Sequence, residues 1–115
     1  MRAADIIICK AGGLIVTESL ASGLPLILVH VLPGQEKGNA DYIVEHEAGV
    51  FCKSPLDVLE TLSSWLRNDH ARLNEVAKNA EQLGKADAAR NIAVEAWKLL
   101  RQKDNRYLKQ NNLTK

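Results

Sequence analysis

Aromatic residues are scarce in this chain, with one Phe, two Tyr and two Trp among 115 residues. They are not interleaved with clustered Lys and Arg as in single-strand nucleic-acid binders, and a net charge of +1 offers no basic surplus for such a partner. Cysteine is nearly as rare. Cys9 and Cys52 lie far apart and outside any CxxC or Cys/His pattern, which excludes a disulfide framework and a cysteine-based metal site. Both are expected to be buried free thiols in a reducing, cytoplasmic setting. His46 and His70 share no ligand spacing, so no metal is expected. The apolar runs are strand-sized, so any membrane contact would be peripheral. No charged segment followed by a long apolar stretch opens the chain, and no signal peptide is expected.

What is present is an alternation. "DIIIC" (Asp5–Cys9) and "PLILV" (Pro25–Val29) are continuous apolar runs bounded by turn signals, the pattern of parallel strands buried on both faces. Between them Leu14–Ser22 has helical length and composition, closed by Gly23 and Pro25. A second helix is predicted over Gly38–Glu47, with Ala40, Tyr42 and Ile43 inward, then a short strand at Val50–Cys52. Ser54-Pro55 reads as cap and first residue of a helix carrying Leu59, Leu62 and Leu66 at helical spacing. "RNDH" (Arg67–His70) breaks it. Leu73, Val76, Ala77 and Ala80 mark the next helix, which Gly84 closes. The last starts near Asp87, with Ala89, Ile92, Ala96 and Leu99 on one face. The expected fold is α/β: an incomplete βαβαβ core over residues 1–52, helices of the same domain over 53–104, and a polar, frayed tail over 105–115. Three parallel strands leave exposed sheet edges.

Two glycine turns carry the chemistry. "KAGG" followed by helical "LIVTES" sets backbone N–H groups at a positive helix end, where an anion is favoured. It is neither a Walker A motif nor GxGxxG, and Gly12 and Gly13 also suit plain helix–strand packing. Glu18, about a turn and a half onward, can accept from two ribose hydroxyls, or be a solvated helix glutamate. "PGQE" puts Gln35 and Glu36 at the mouth of the second strand, where an amide and a carboxylate suit sugar hydroxyls. A turn with helix capping is the alternative. Asn39 adds a donor nearby. His30, which ends that strand, reads as a packing residue more readily than a catalytic one. The basic "WKLLRQKDNRYLK" (Trp97–Lys109) suits either a solvated helix end or an anionic bilayer.

Taken together, "ADIIICKAGGLIVTESLASGLPLILV" and "LPGQEKGNADYIVEHEAGV" resemble the nucleotide-sugar-binding half of a glycosyltransferase family, over about Ala4–Phe51. That family includes the monogalactosyldiacylglycerol synthases, the diacylglycerol glucosyltransferases and the N-acetylglucosaminyltransferase of peptidoglycan synthesis. "PGQE-x-x-NA-x-Y" looks most like the diacylglycerol-transferring members, and "ADAARNIA" (Ala86–Ala93) like the family's closing helix. The resemblance implies a GT-B architecture and a UDP-sugar donor without further cofactor. The backbone of Gly12, Gly13 and Leu14 would face the diphosphate and Glu18 the ribose, while Gln35 and Glu36 would meet the sugar with Asn39 beside them. Galactose and glucose meet the same Gln-Glu pair in that family, so the hexose stays open, as does the lipid acceptor. The general base belongs, by family pattern, to an acceptor domain that this chain lacks. Met1 then looks like an internal methionine, and the chain like a fragment inactive alone. A donor-binding subunit needing a partner chain, and an α/β domain that has lost its ligand, are the other two readings.

Overall fold

The computed structural model describes Met1 and residues 3–112. In chain order it contains β1 (Ile7–Lys10), α1 (Gly13–Ala21), β2 (Leu26–His30), α2 (Lys37–Glu45), β3 (Gly49–Phe51), α3 (Pro55–Trp65), α4 (Ala71–Leu83) and α5 (Ala88–Asn112). Strand order is β1-β2-β3 and both pairings are parallel, with Ile8 opposite Ile27 and Ile27 opposite Val50. The register shifts between Cys9 and Lys10, so that Lys10 pairs with His30. Leu26, Ile27 and Leu28 of the central strand are fully buried, which is why this stretch reads as an unbroken apolar run.

Helices cover both faces of the sheet. On one, Val16 and Leu20 of α1 and Ile43 of α2 pack on Leu26 and Leu28. On the other, Trp65, Leu73 and Val76 of α3 and α4 enclose Ile27 and Cys52. Both cysteines are free, Cys52 buried as expected and Cys9 only partly so, and this partial burial pushes the Cys9 thiol up. The sheet ends on either side with half-exposed apolar residues, Ile8 on β1 and Phe51 on β3, as three parallel strands require.

Local chemistry sets the boundaries. Ser54 caps α3 with a reciprocal pair: Asp57 N–H donates to Ser54 Oγ at 3.2 Å, and Ser54 N–H donates to Asp57 Oδ2 at 3.1 Å. "RNDH" becomes a left-handed turn, with φ of 51°, 55° and 62° at Asn68, Asp69 and His70, residue types that tolerate this region better than most. Gly49 must be glycine because of close approach. A Cβ there would overlap the Leu26 carbonyl and come within 2.8 Å of Ile43 Cγ2.

Three expectations need correction. The buried face of α3 is Val58, Leu62 and Trp65, whereas Leu59 and Leu66 are 60% and 49% exposed. Both sets have helical spacing and share Leu62. The large area of the Trp65 ring selects the rotation that buries it. Tyr42 is not inward but half-exposed, stacked 4.4 Å from the His46 ring, while Ala40 and Ile43 are buried as expected. The backbone expected to fray from residue 105 is helical through Asn112, since Lys98–Asn112 contains neither Gly nor Pro to stop it. Residues 113–115 of the expected tail lie outside the described residues.

The glycine contrast is testable by urea unfolding. Gly49→Ala should lower stability by about 1–3 kcal/mol through overpacking. Gly38→Ala, with nothing near its Cβ position in α2, should raise it by about 0.5–1 kcal/mol.

Candidate functional site

Because β1 and β2 run parallel, their carboxyl ends deliver both glycine turns to the same edge of the sheet, where open α/β sheets hold ligands. Ala11 leaves β1 fully buried, its N–H donating to the His30 carbonyl at 3.0 Å. Gly12 is the N-cap of α1, extended at φ −67°, ψ 141°, and no side chain caps the helix. The N–H groups of the first turn therefore stand open at the positive end of the helix.

Neither glycine is demanded by the chain itself. A Cβ on Gly12 would find its nearest neighbour at 3.6 Å, and one on Gly13 would meet only Asn39 Nδ2, at 3.8 Å. Neither has a positive φ. Gly34 differs: its φ of +88° after Pro33 suits a type II turn, which needs glycine at that position.

Two side chains tie the loops together. Asn39, in the first turn of α2, donates from Nδ2 to the Ala11 carbonyl at 3.0 Å, across 28 residues of sequence. Glu36 is buried. Its Oε2 accepts from Leu32 N–H at 2.9 Å, closing its own loop, and its Oε1 lies 3.5 Å from Lys10 Nζ. The same Oε1 is 3.8 Å from the Cβ position of Gly12, so the carboxylate sits behind the first turn.

The expected site residues thus fall into two groups. Gly12, Gly13, Glu36 and Asn39 are brought together, with Asn39 and Glu36 acting on the loops themselves. Leu14 (74% exposed), Glu18 and Gln35 are exposed, and Glu18 and Gln35 make no side-chain hydrogen bond among the described residues. His30 is exposed at the end of β2, its carbonyl holding Ala11. Among the described residues no group of three or more His, Cys, Asp and Glu side chains converges as a metal cage. Lys10 was missed from sequence. Its signal was its place beside Ala11-Gly12, but its partner lies on the other loop.

An open parallel sheet with helices on both faces and ligand-sized turns at its carboxyl edge defines a Rossmann-like domain, here of the GT-B kind. MurG of Acinetobacter baumannii shares it with a TM-score of 0.66 and 30% identity, over 83% of this chain and 30% of that one. Residues 1–92 match the glycosyltransferase family 28 C-terminal domain, and the chain belongs to that family. Monogalactosyldiacylglycerol synthase 3 of Arabidopsis thaliana is 39% identical over 102 residues, which is 89% of this chain and 22% of the relative. Monogalactosyldiacylglycerol synthase of Spinacia oleracea is 37% identical over 103 residues, 90% of this chain and 20% of the relative. The chain thus spans about a fifth of the length of these curated relatives.

The role of Glu36 in the loop can be measured. Glu36→Ala leaves the Leu32 N–H without its acceptor and should cost about 1–3 kcal/mol in urea unfolding. Glu36→Gln retains an acceptor oxygen and loses only the half-exposed pair with Lys10, so it should cost clearly less.

Proposed function

We propose that this chain is the donor-binding part of a glycosyltransferase that moves a hexose, galactose or glucose, from its UDP-sugar to a lipid hydroxyl such as that of diacylglycerol. The observation that carries the proposal is the uncapped N-terminus of α1 behind two glycines that nothing in the chain requires. A diphosphate against the N–H groups around Gly12, Gly13 and Leu14 would supply what the helix end lacks. Glu18 accepts from the ribose hydroxyls. Gln35 offers the exposed amide to the sugar, and Glu36 contributes through Oε1, its other oxygen being engaged with Leu32. Asn39 keeps the two loops in register beside that group.

In the transfer, the bond from the anomeric carbon to the diphosphate oxygen breaks and one to the acceptor oxygen forms. Negative charge grows on the leaving diphosphate, and preorganised N–H dipoles at the α1 terminus stabilise it as it develops. On this proposal the donor site needs no cofactor, and the base that deprotonates the acceptor lies outside this chain, which is inactive alone. The half-exposed β1 edge favours a second form of the same idea: a donor-binding subunit completed by an acceptor-domain partner chain. Either form acts in the cytoplasm, with at most peripheral membrane contact.

Calorimetric titration with UDP tests the proposal. The wild type should bind, and Glu18→Ala should weaken binding by about 1–3 kcal/mol, roughly five- to 150-fold. Gly13→Ala should leave folding stability unchanged or slightly higher, yet weaken UDP binding because its methyl occupies the phosphate's approach. Equal binding by all three proteins, or none by the wild type, would overturn it.

A further inference from the structure

Among the described residues Glu36 is the sole charged residue that is buried, its side chain 8% exposed. Its two oxygens are engaged differently. Oε2 accepts from Leu32 N–H at 2.9 Å, whereas Oε1 accepts no hydrogen bond among the described residues and faces the Lys10 ammonium across 3.5 Å. That gap exceeds the roughly 2.7–2.9 Å of a charge-assisted N–H···O bond. Lys37 and Lys98, by contrast, close on Asp41 and Glu95 at 2.7 Å. The Lys10 charge thus offsets the buried carboxylate without being bonded to it.

The place of Lys10 gives this loose pair a use. Lys10 ends β1, two residues before Gly12, and its Cε lies 3.6 Å from the Gly12 Cβ position. Glu36 Oε1 is 3.8 Å from the same point. The ammonium therefore stands beside the uncapped first turn of α1, on a flexible side chain that is 58% exposed. A diphosphate against that turn offers it more than one negative charge and several acceptor oxygens, where Glu36 offers a single oxygen at long range. When Lys10 moves across, Glu36 Oε1 is left buried without its counter-charge. A sugar hydroxyl donating to that oxygen supplies the missing partner. The two ends of a nucleotide-sugar would then be recognised through one exchange, with the cation going to the phosphates and the carboxylate oxygen to the sugar.

We infer that Lys10 is a donor-binding residue, held near Glu36 in the free chain and passed to the diphosphate on binding. This rests on the donor-site reading given above. The test is calorimetric titration of the full chain with UDP at one fixed salt concentration. Lys10→Met should bind about tenfold more weakly than the wild type, the loss of one charge-assisted contact. Lys10→Arg, which keeps the charge, should stay within about threefold of it. Both variants keep the Glu36–Leu32 bond that closes the loop. The decisive comparison is made in the Glu36→Gln background, where no buried charge needs offsetting. There Lys10→Met should still weaken UDP binding by about tenfold. If Lys10 serves only to neutralise Glu36, the double variant will bind as Glu36→Gln alone does, and the inference falls. Lys37→Met removes the same charge from a lysine already engaged with Asp41 and should bind as the wild type does. A loss there equal to that of Lys10→Met would reduce Lys10 to a contributor to the general field and overturn the assignment. Wild-type binding that Glu18→Ala weakens and Lys10→Met does not would overturn this inference and leave the donor site standing. No binding by the wild type would overturn both.

Discussion

The parallel pairing of β2 with both neighbours is the constraint from which the remaining structure follows. A parallel neighbour can be reached only by a crossover, so α1 and α2 must lie between successive strands, and the carboxyl ends of all three strands must share one edge. With Leu26, Ile27 and Leu28 fully buried between two helical layers, that edge is the place where backbone can remain open to a ligand. Asn39 and Glu36 then convert two neighbouring turns into one unit. The first bonds the Ala11 carbonyl, and the second bonds its own loop and pairs with Lys10.

A buried carboxylate behind a proposed phosphate site needs a physical reason. Its engagement with the Leu32 N–H and the Lys10 ammonium removes most of the penalty of burying it. The Lys10 charge also offsets the carboxylate, so the positive potential of the α1 end is not cancelled where a diphosphate would sit. Rigidity matters here as much as charge. With the Ala11 carbonyl held by Asn39 from the neighbouring loop, the start of α1 presents N–H groups already aimed, with little ordering left to occur on binding.

Much of this was legible because it is local. The Ser54-Pro55 helix start, the apolar strand runs and the glycine turns are all written in neighbouring residues. What escaped was set by contacts distant in sequence. Nothing near Lys10 announces Glu36 as its partner, and the "PGQE" chemistry gives no sign that one carboxylate oxygen is spent on Leu32. The rotation of α3 escaped for a related reason. Leu59, Leu62 and Leu66 fit a helix as well as Val58, Leu62 and Trp65 do, and the packing of Trp65 against Ile27 and Cys52 distinguishes them. Family membership of residues 1–92 matches the resemblance carried by the two loops, and α5, most of which lies beyond residue 92, is the element whose role the core leaves most open.

The central claim is that the open N–H groups at the start of α1 form an anion site. It is tested most directly by two-dimensional amide NMR of the labelled chain during addition of UDP. The account predicts that the largest shifts fall on the amides of Gly13, Leu14 and Ile15, with smaller ones reaching Asn39 through its bond to Ala11. Shifts centred elsewhere, or a spectrum that UDP leaves unchanged, would contradict it.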